Sequence, residues 1–149
     1  MAADQRGPML ARIAEVRAQR LTRAAAEAHA ARNAAEAAAE RARLERETAA
    51  ATRREARALF VGTPACAQAR LWLDRTIAGE TSAIAELSER SGRLDLARDS
   101  HDQAVGALAR HQIRSDAVAG HHLAAVRAER RRSEDRAETD APAVRVRAS

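Results

Sequence analysis

The sequence predicts an all-α protein, a long two-helix antiparallel coiled-coil hairpin with disordered termini. Three observations lead there. Met9 to Val61 contains neither Gly nor Pro, and a second long stretch runs from Ala65 to about Arg136. Between them stands Gly62-Thr63-Pro64, where Gly loosens the backbone and Pro, which lacks the helical donor, opens a new helix well. The composition is that of helices packed through a thin seam. The hydrophobic fraction is 46% but mostly Ala, and aromatics are 1%, with one Trp, one Phe and no Tyr. Ala, Arg and Glu are strong helix formers, and Ala buries far less than the roughly 1.5–3 kcal/mol of a buried Leu or Phe. A thick core is excluded, and the small buried area predicts marginal stability.

Residues 1–8 read as a disordered N-terminus, with Gly7-Pro8 at the mouth of the first helix. The first helix is expected over 9–61, roughly 75–80 Å at 1.5 Å per residue. Read in sevens, it shows one line of small apolar residues: Ala14, Leu21, Ala28, Ala35, Ala42, Ala49 and Ala56. A companion line takes Leu10, Arg17, Ala24, Ala31, Ala38, Glu45, Thr52 and Leu59. Glu15, Glu27, Glu36, Glu40 and Glu47 alternate with Arg12, Arg20, Arg23, Arg41, Arg43 and Arg54 on the other faces, the pattern of a solvated surface.

The turn is expected at 62–64. Around it gather the bulkiest residues of the chain: Leu59, Phe60 and Val61 before it, Leu71, Trp72 and Leu73 after it. This cluster has two readings: a plug that closes the turn, or an exposed apolar tip that docks another protein. The second helix is expected over 65–136. Its seven-residue lines are Ile77, Ile84, Ser91, Arg98, Val105, Gln112, Ala119, Val126 and Leu73, Glu80, Leu87, Leu94, His101, Leu108. Ser91-Gly92 is its expected kink or break, because Gly costs about 1 kcal/mol against Ala inside a helix. Folding about Thr63 places Leu10 near residue 116. The second helix then overhangs the first, carrying Val118, Leu123, Val126, Arg127, Arg130, Arg131 and Arg132 beyond it. Such an end either binds a partner or frays. Residues 137–149 read as a disordered tail.

Function classes narrow by what is missing from the sequence. It has no phosphate-binding GxxxxGK[ST], GxGxxG, HExxH or GxSxG pattern. His29, His101, His111, His121 and His122 lack metal-ligand spacing, and Cys66 has no activating neighbour, so it reads as a buried or incidental thiol. Catalytic, cofactor and metal sites are each expected to be absent, and so is a small-molecule substrate; an enzyme is argued against. The net charge is +5, and all 26 basic residues are Arg. The Arg130-Arg131-Arg132 run could meet phosphates, but acidic residues follow it and no aromatics interleave for base stacking. Nucleic acid is therefore the least favoured partner. No apolar run approaches the roughly 20 residues of a membrane span, and residues 1–8 hold no signal-peptide core, so the expected address is cytoplasmic.

Two long antiparallel helices, a turn at Gly62-Thr63-Pro64, the patch Leu71-Trp72-Leu73 with Ile77, and a second helix ending in the basic segment Arg127 to Arg132 form a pattern. It resembles the small stalk proteins of bacterial type III secretion, the YscO/FliJ-like group, over nearly the whole chain. The resemblance implies a fold like the coiled-coil part of a rotary ATPase shaft, with no chemistry of its own. It implies a place inside the hexameric export ATPase, reaching toward the export-gate membrane protein, with binding of secretion chaperones in some members. It also implies peripheral association with the secretion apparatus in the cytoplasm. Carried onto this chain, Arg12, Arg17, Arg20, Leu123, Val126, Arg127, Arg130, Arg131 and Arg132 would contact the ATPase ring. Phe60, Leu71 and Trp72 would meet the gate. The alternative is a coiled-coil adaptor or structural protein of another assembly.

Overall fold

The computed structural model describes residues 6–140, and all secondary structure among them is helical. α1 runs Arg6–Gly62 and α2 runs Ala67–Asp140. The two pack antiparallel as a helical hairpin. Residues 1–5 and 141–149, parts of the termini expected to be disordered, lie outside the described residues.

Both helices extend further than the sequence suggested. α1 takes in residues 6–8, because Pro8 falls in the first turn, where a missing N–H leaves nothing unsatisfied. α2 continues through residues 137–140, where the Thr139 hydroxyl donates to the Asp135 carbonyl at 2.6 Å. α2 also passes unbroken through Ser91-Gly92, contrary to the expected break. One Gly costs about 1 kcal/mol, and Glu, Arg, Leu and Ala on either side hold the helix across it.

The turn is tighter in construction than a Gly hinge. Gly62 remains helical and no Gly has positive φ among the described residues. α1 ends at Thr63. Its amide donates to the carbonyls of Leu59 (2.9 Å) and Phe60 (3.2 Å), and its hydroxyl donates to Leu59 O at 2.8 Å. The Cys66 amide then donates to Thr63 O at 3.0 Å, closing a four-residue turn with Pro64 at its second position, where the fixed φ of Pro suits it. Cys66 O accepts the Arg70 amide at 3.2 Å and starts α2. Cys66 itself is exposed, which removes the buried-thiol reading.

Two compact units divide the chain. In the larger, Gln19–Leu108, the seam follows steps of three and four residues, interrupted on α1 at the exposed Arg46. From α1 it takes Leu21, Ala28, Ala35, Ala42, Ala49 and Ala56, the line read from the sequence, all buried or half-buried. The second line differs from the one expected. Ala25, Arg32, Ala39, Arg53 and Phe60 turn inward, whereas of the expected line Ala24, Ala31, Glu45 and Leu59 are exposed and only Ala38 and Thr52 are half-buried. An Ala-rich helix is nearly as apolar on either side of its Ala line, and arginines join the seam by laying their aliphatic stems along it. From α2 the seam takes Leu73, Glu80, Leu87, Leu94, His101 and Leu108, with Thr76, Ala83, Arg90, Ala97 and Ala104 three residues on and Ala69 four residues before Leu73. Ile77, Ile84 and Val105, expected in the seam, stay largely exposed. Ala and Thr in their stead are small enough to permit close packing of the two helices. The residues buried outright are accordingly small: Ala42, Ala56, Ala69 and Thr76. No large side chain is fully buried among the described residues, so the apolar contribution of each contact is modest.

Several polar contacts cross between the helices in this unit. Arg53 Nη1 donates to Glu80 Oε2 at 2.5 Å, Arg98 Nη2 lies 3.7 Å from Glu36 Oε1, and the rings of His29 and His101 lie 5.6 Å apart. Arg32 Nε is buried in the seam with no hydrogen bond, 3.7 Å from Glu36 Oε1.

The smaller unit joins the residues up to Ala18 with those from Ala109. Its cross-helix bond runs from His111 Nε2, as donor, to the Ala14 carbonyl at 3.2 Å. Ala14 and His111 are half-buried, and every residue from Gln112 to Arg127 is exposed. Counting antiparallel from that bond puts Arg6 beside residue 119, so α2 continues to Asp140 with no described α1 residue alongside it.

Candidate functional site

The end of α2 is the first candidate surface. Val118, Leu123 and Val126 are 68%, 55% and 50% exposed. Leu123 and Val126 are three residues apart and share a face. Arg127, Arg130, Arg131 and Arg132 follow, all exposed, with Arg130 Nε donating to Glu134 Oε1 at 2.9 Å. Arg12 and Arg17, at the start of α1, are exposed as well. By the Ala14–His111 count Arg12 lies beside residue 113, ten residues and about 15 Å short of Leu123. The two parts of the sequence-derived ring patch are therefore separate surfaces in this unit. Arg20 is exposed and belongs to the other unit.

At the turn, Phe60 is half-buried as the last seam residue of α1, and Leu71 is exposed. Trp72 is 36% exposed. Leu59 and Val61 are exposed too. The cluster divides between the two sequence readings: Phe60 plugs the end of the seam, while Leu59, Val61 and Leu71 leave an apolar surface at the tip.

A third surface went unnoticed in the sequence. Arg46, Ala50, Arg53, Arg54 and Arg57 of α1 and Glu80 of α2 line an open groove of ≈ 430 Å³, with Glu47 at its edge. Its only carboxylates are engaged: Glu80 by Arg53 at 2.5 Å and Glu47 by Arg43 at 3.3 Å. Arg46, Arg54 and Arg57 make no ion pair or hydrogen bond among the described residues. Arg90, on another face, shows the contrast. It forks onto Glu86 Oε1 at 2.8 and 3.1 Å, and that bond raises its pKa. The sequence signal for the groove was Arg53-Arg54 with Arg57, masked by the Glu residues interspersed along α1.

No three His, Cys, Asp or Glu side chains come together as a metal site among the described residues. Two further hollows are wide open to solvent, one lined by Glu36, Arg43, Leu87, Leu94 and Arg98 and another by Arg41, Glu45, Glu86 and Arg90. His101 Nδ1 lies 3.2 Å from Asp102 Oδ1, and His29 Nε2 lies 3.1 Å from Asn33 Nδ2, both on exposed edges. These contacts orient the rings without enclosing a reactant. No described helix is long and apolar enough to cross a membrane. Comparisons with protein-family models, with curated proteins and with solved structures find no match.

Proposed function

We propose that this chain is the stalk of a bacterial type III protein-export apparatus. It inserts the open end of its hairpin into the hexameric export ATPase and presents the turn to the export gate. The observation that carries this reading is the far end of α2. There Leu123 and Val126 are exposed on one helix face, next to Arg127, Arg130, Arg131 and Arg132, with no described α1 residue alongside. An apolar stripe with no described helix beside it, rimmed by arginines, suits insertion between protein subunits. The sequence resemblance to stalk proteins and the apolar tip at Leu59, Val61, Leu71 and Trp72 support it further.

The proposed mechanism needs no catalytic group. A two-helix element is asymmetric and its host ring is six-fold, so it touches the subunits unequally. Contacts that differ between nucleotide states shift those states, and the ring's cycle in turn shifts the element: a reciprocal coupling between two sites. Secretion chaperones are further partners in this proposal, and the chain works on the cytoplasmic side of the apparatus.

The test is reconstitution with the purified export ATPase. The intact chain is expected to copurify with the hexamer and raise its ATP turnover, and Leu123→Asp/Val126→Asp to abolish both. Leu71→Asp/Trp72→Ala is expected to spare the ATPase effect and to weaken capture of the cytoplasmic domain of the gate. If the wild-type chain leaves both hexamer and turnover unaffected, the stalk assignment fails.

A further inference from the structure

We infer that the arginine groove on the turn-proximal half of the hairpin is a docking site for an acidic amphipathic helix of a partner protein. This inference does not depend on the stalk reading, because it uses neither the α2 end nor the tip.

Charge is the first argument. Arg46, Arg54 and Arg57 are charged at any physiological pH and have no partner among the described residues, while both carboxylates of the groove are taken by other arginines. Elsewhere in the same unit arginines find carboxylates on their own helix, as in Arg90 with Glu86, Arg93 with Glu89 and Arg43 with Glu47. The groove thus concentrates positive charge that the chain does not neutralise. The guanidinium fork is built for carboxylates and holds them bidentately.

Shape and apolarity decide which acidic ligand fits. Residues 46 to 57 cover about 16 Å of helix, three turns. Ala50 keeps the floor between the arginines low. Ile77 and Ile84 stand three residues before and four residues after Glu80, so they share its face of α2 and, though they do not line the groove, add exposed apolar surface next to it along that helix. They are 40% and 48% exposed, and the seam has Thr76 and Ala83 in the positions that would have buried them. A row of arginines beside a row of isoleucines is the complement of a helix with Glu or Asp on one side and Leu, Ile or Val on the next. Three turns of such a helix would match three turns of groove. A nucleic acid would engage the arginines, but it would find no aromatic ring in the groove and would gain nothing from the isoleucines. A second copy of this chain is the poorer fit, since its net charge is +5.

The test uses the full-length chain and a fluorescein-labelled 21-residue helical peptide with Leu at heptad positions on one face and Glu on the adjacent face. Fluorescence anisotropy is expected to show saturable binding. Arg54→Glu/Arg57→Glu is expected to weaken it roughly ten-fold or more, and Ile77→Ser/Ile84→Ser roughly five-fold, while Leu123→Asp/Val126→Asp leaves it unchanged. Peptides with Gln for Glu, or Ser for Leu, are expected to bind weakly. Circular dichroism checks that the variants keep their helicity, and Arg54→Gln/Arg57→Gln is the milder substitute if the charge reversal unfolds the chain. Three outcomes would overturn the inference: no binding of the Glu–Leu peptide; equal binding of a single-stranded oligonucleotide with no effect of the isoleucine changes; or a dimer, seen by sedimentation, that Arg54→Glu/Arg57→Glu dissolves.

Discussion

The bond between Arg53 and Glu80 gives the sharpest test of the hairpin's register. It joins residues 27 apart in sequence at 2.5 Å, so it exists only if the helices pair as described. Two unit charges 4 Å apart attract by about 4 kcal/mol at an effective dielectric near 20. Glu80 is 12% exposed but Arg53 is 44% exposed, so solvent screening brings the coupling down to about 1–2 kcal/mol. The two ends should also respond unequally. Arg53→Gln leaves a mostly buried carboxylate without its cation, whereas Glu80→Gln leaves a guanidinium that can turn to water. Arg53→Gln is therefore expected to lower Tm by roughly 3–6 °C and Glu80→Gln by less. The double variant should come out near Glu80→Gln alone, because it no longer strands the carboxylate, and the exchange Arg53→Glu/Glu80→Arg should recover at least half of the loss. The assay is thermal melting followed by circular dichroism at 222 nm, arranged as a double-mutant cycle. Strict additivity of the single changes, with no recovery on exchange, would refute the pairing of residues 53 and 80.

Three further substitutions probe the seam by the same melting assay. Ala56 is 0% exposed, so Ala56→Leu should destabilise by about 1–3 kcal/mol while Ala58→Leu, on the exposed side, should be neutral; equal effects would show that residue 56 does not pack in the seam. Nothing lies within 4 Å of a Cβ built on Gly92, and so Gly92→Ala should stabilise by about 0.5–1 kcal/mol, with a loss of stability arguing against continuous helix there. Arg32→Leu removes a buried Nε without a hydrogen bond, leaves Glu36 its contact with Arg98, and should stabilise by about 1–2 kcal/mol; a drop in Tm would mean that the Arg32–Glu36 contact outweighs the desolvation.

The fold was legible because helix signals are local. Long stretches of Ala, Arg and Glu, and the Thr63-Pro64 break, each speak for themselves. The line from Leu21 to Ala56 was legible too, since a seven-residue repeat of small residues survives any choice of partner face. The second line on each helix was not. Deciding whether Arg17 or Arg32, Ile77 or Thr76, faces the neighbour depends on how closely the helices approach, which is a property of the pair. Bulk drew the reading toward Ile77 and Ile84, whereas close packing favours Ala69, Thr76 and Ala83. The arginine groove was hidden for a related reason. Which charges cancel depends on side-chain geometry, and only the structure pairs Glu80 with Arg53 and leaves Arg54 and Arg57 without a counter-ion.

The four-residue turn Thr63–Cys66 carries a consequence for the larger unit. A seam that repeats Ala every seven residues looks much the same after one heptad of axial slippage: Ala35 would take the place of Ala42, and Ala49 that of Ala56. Packing alone is thus nearly degenerate along the axis, and the contacts Arg53–Glu80 and Glu36–Arg98 break that degeneracy only modestly. The covalent tether removes it. With so few residues between the helices, a slip of about 10 Å cannot be taken up without unwinding helix on both sides. A single cut at the exposed Pro64-Ala65 segment would leave every buried residue in place, yet free the two strands of the hairpin to slide and reassort.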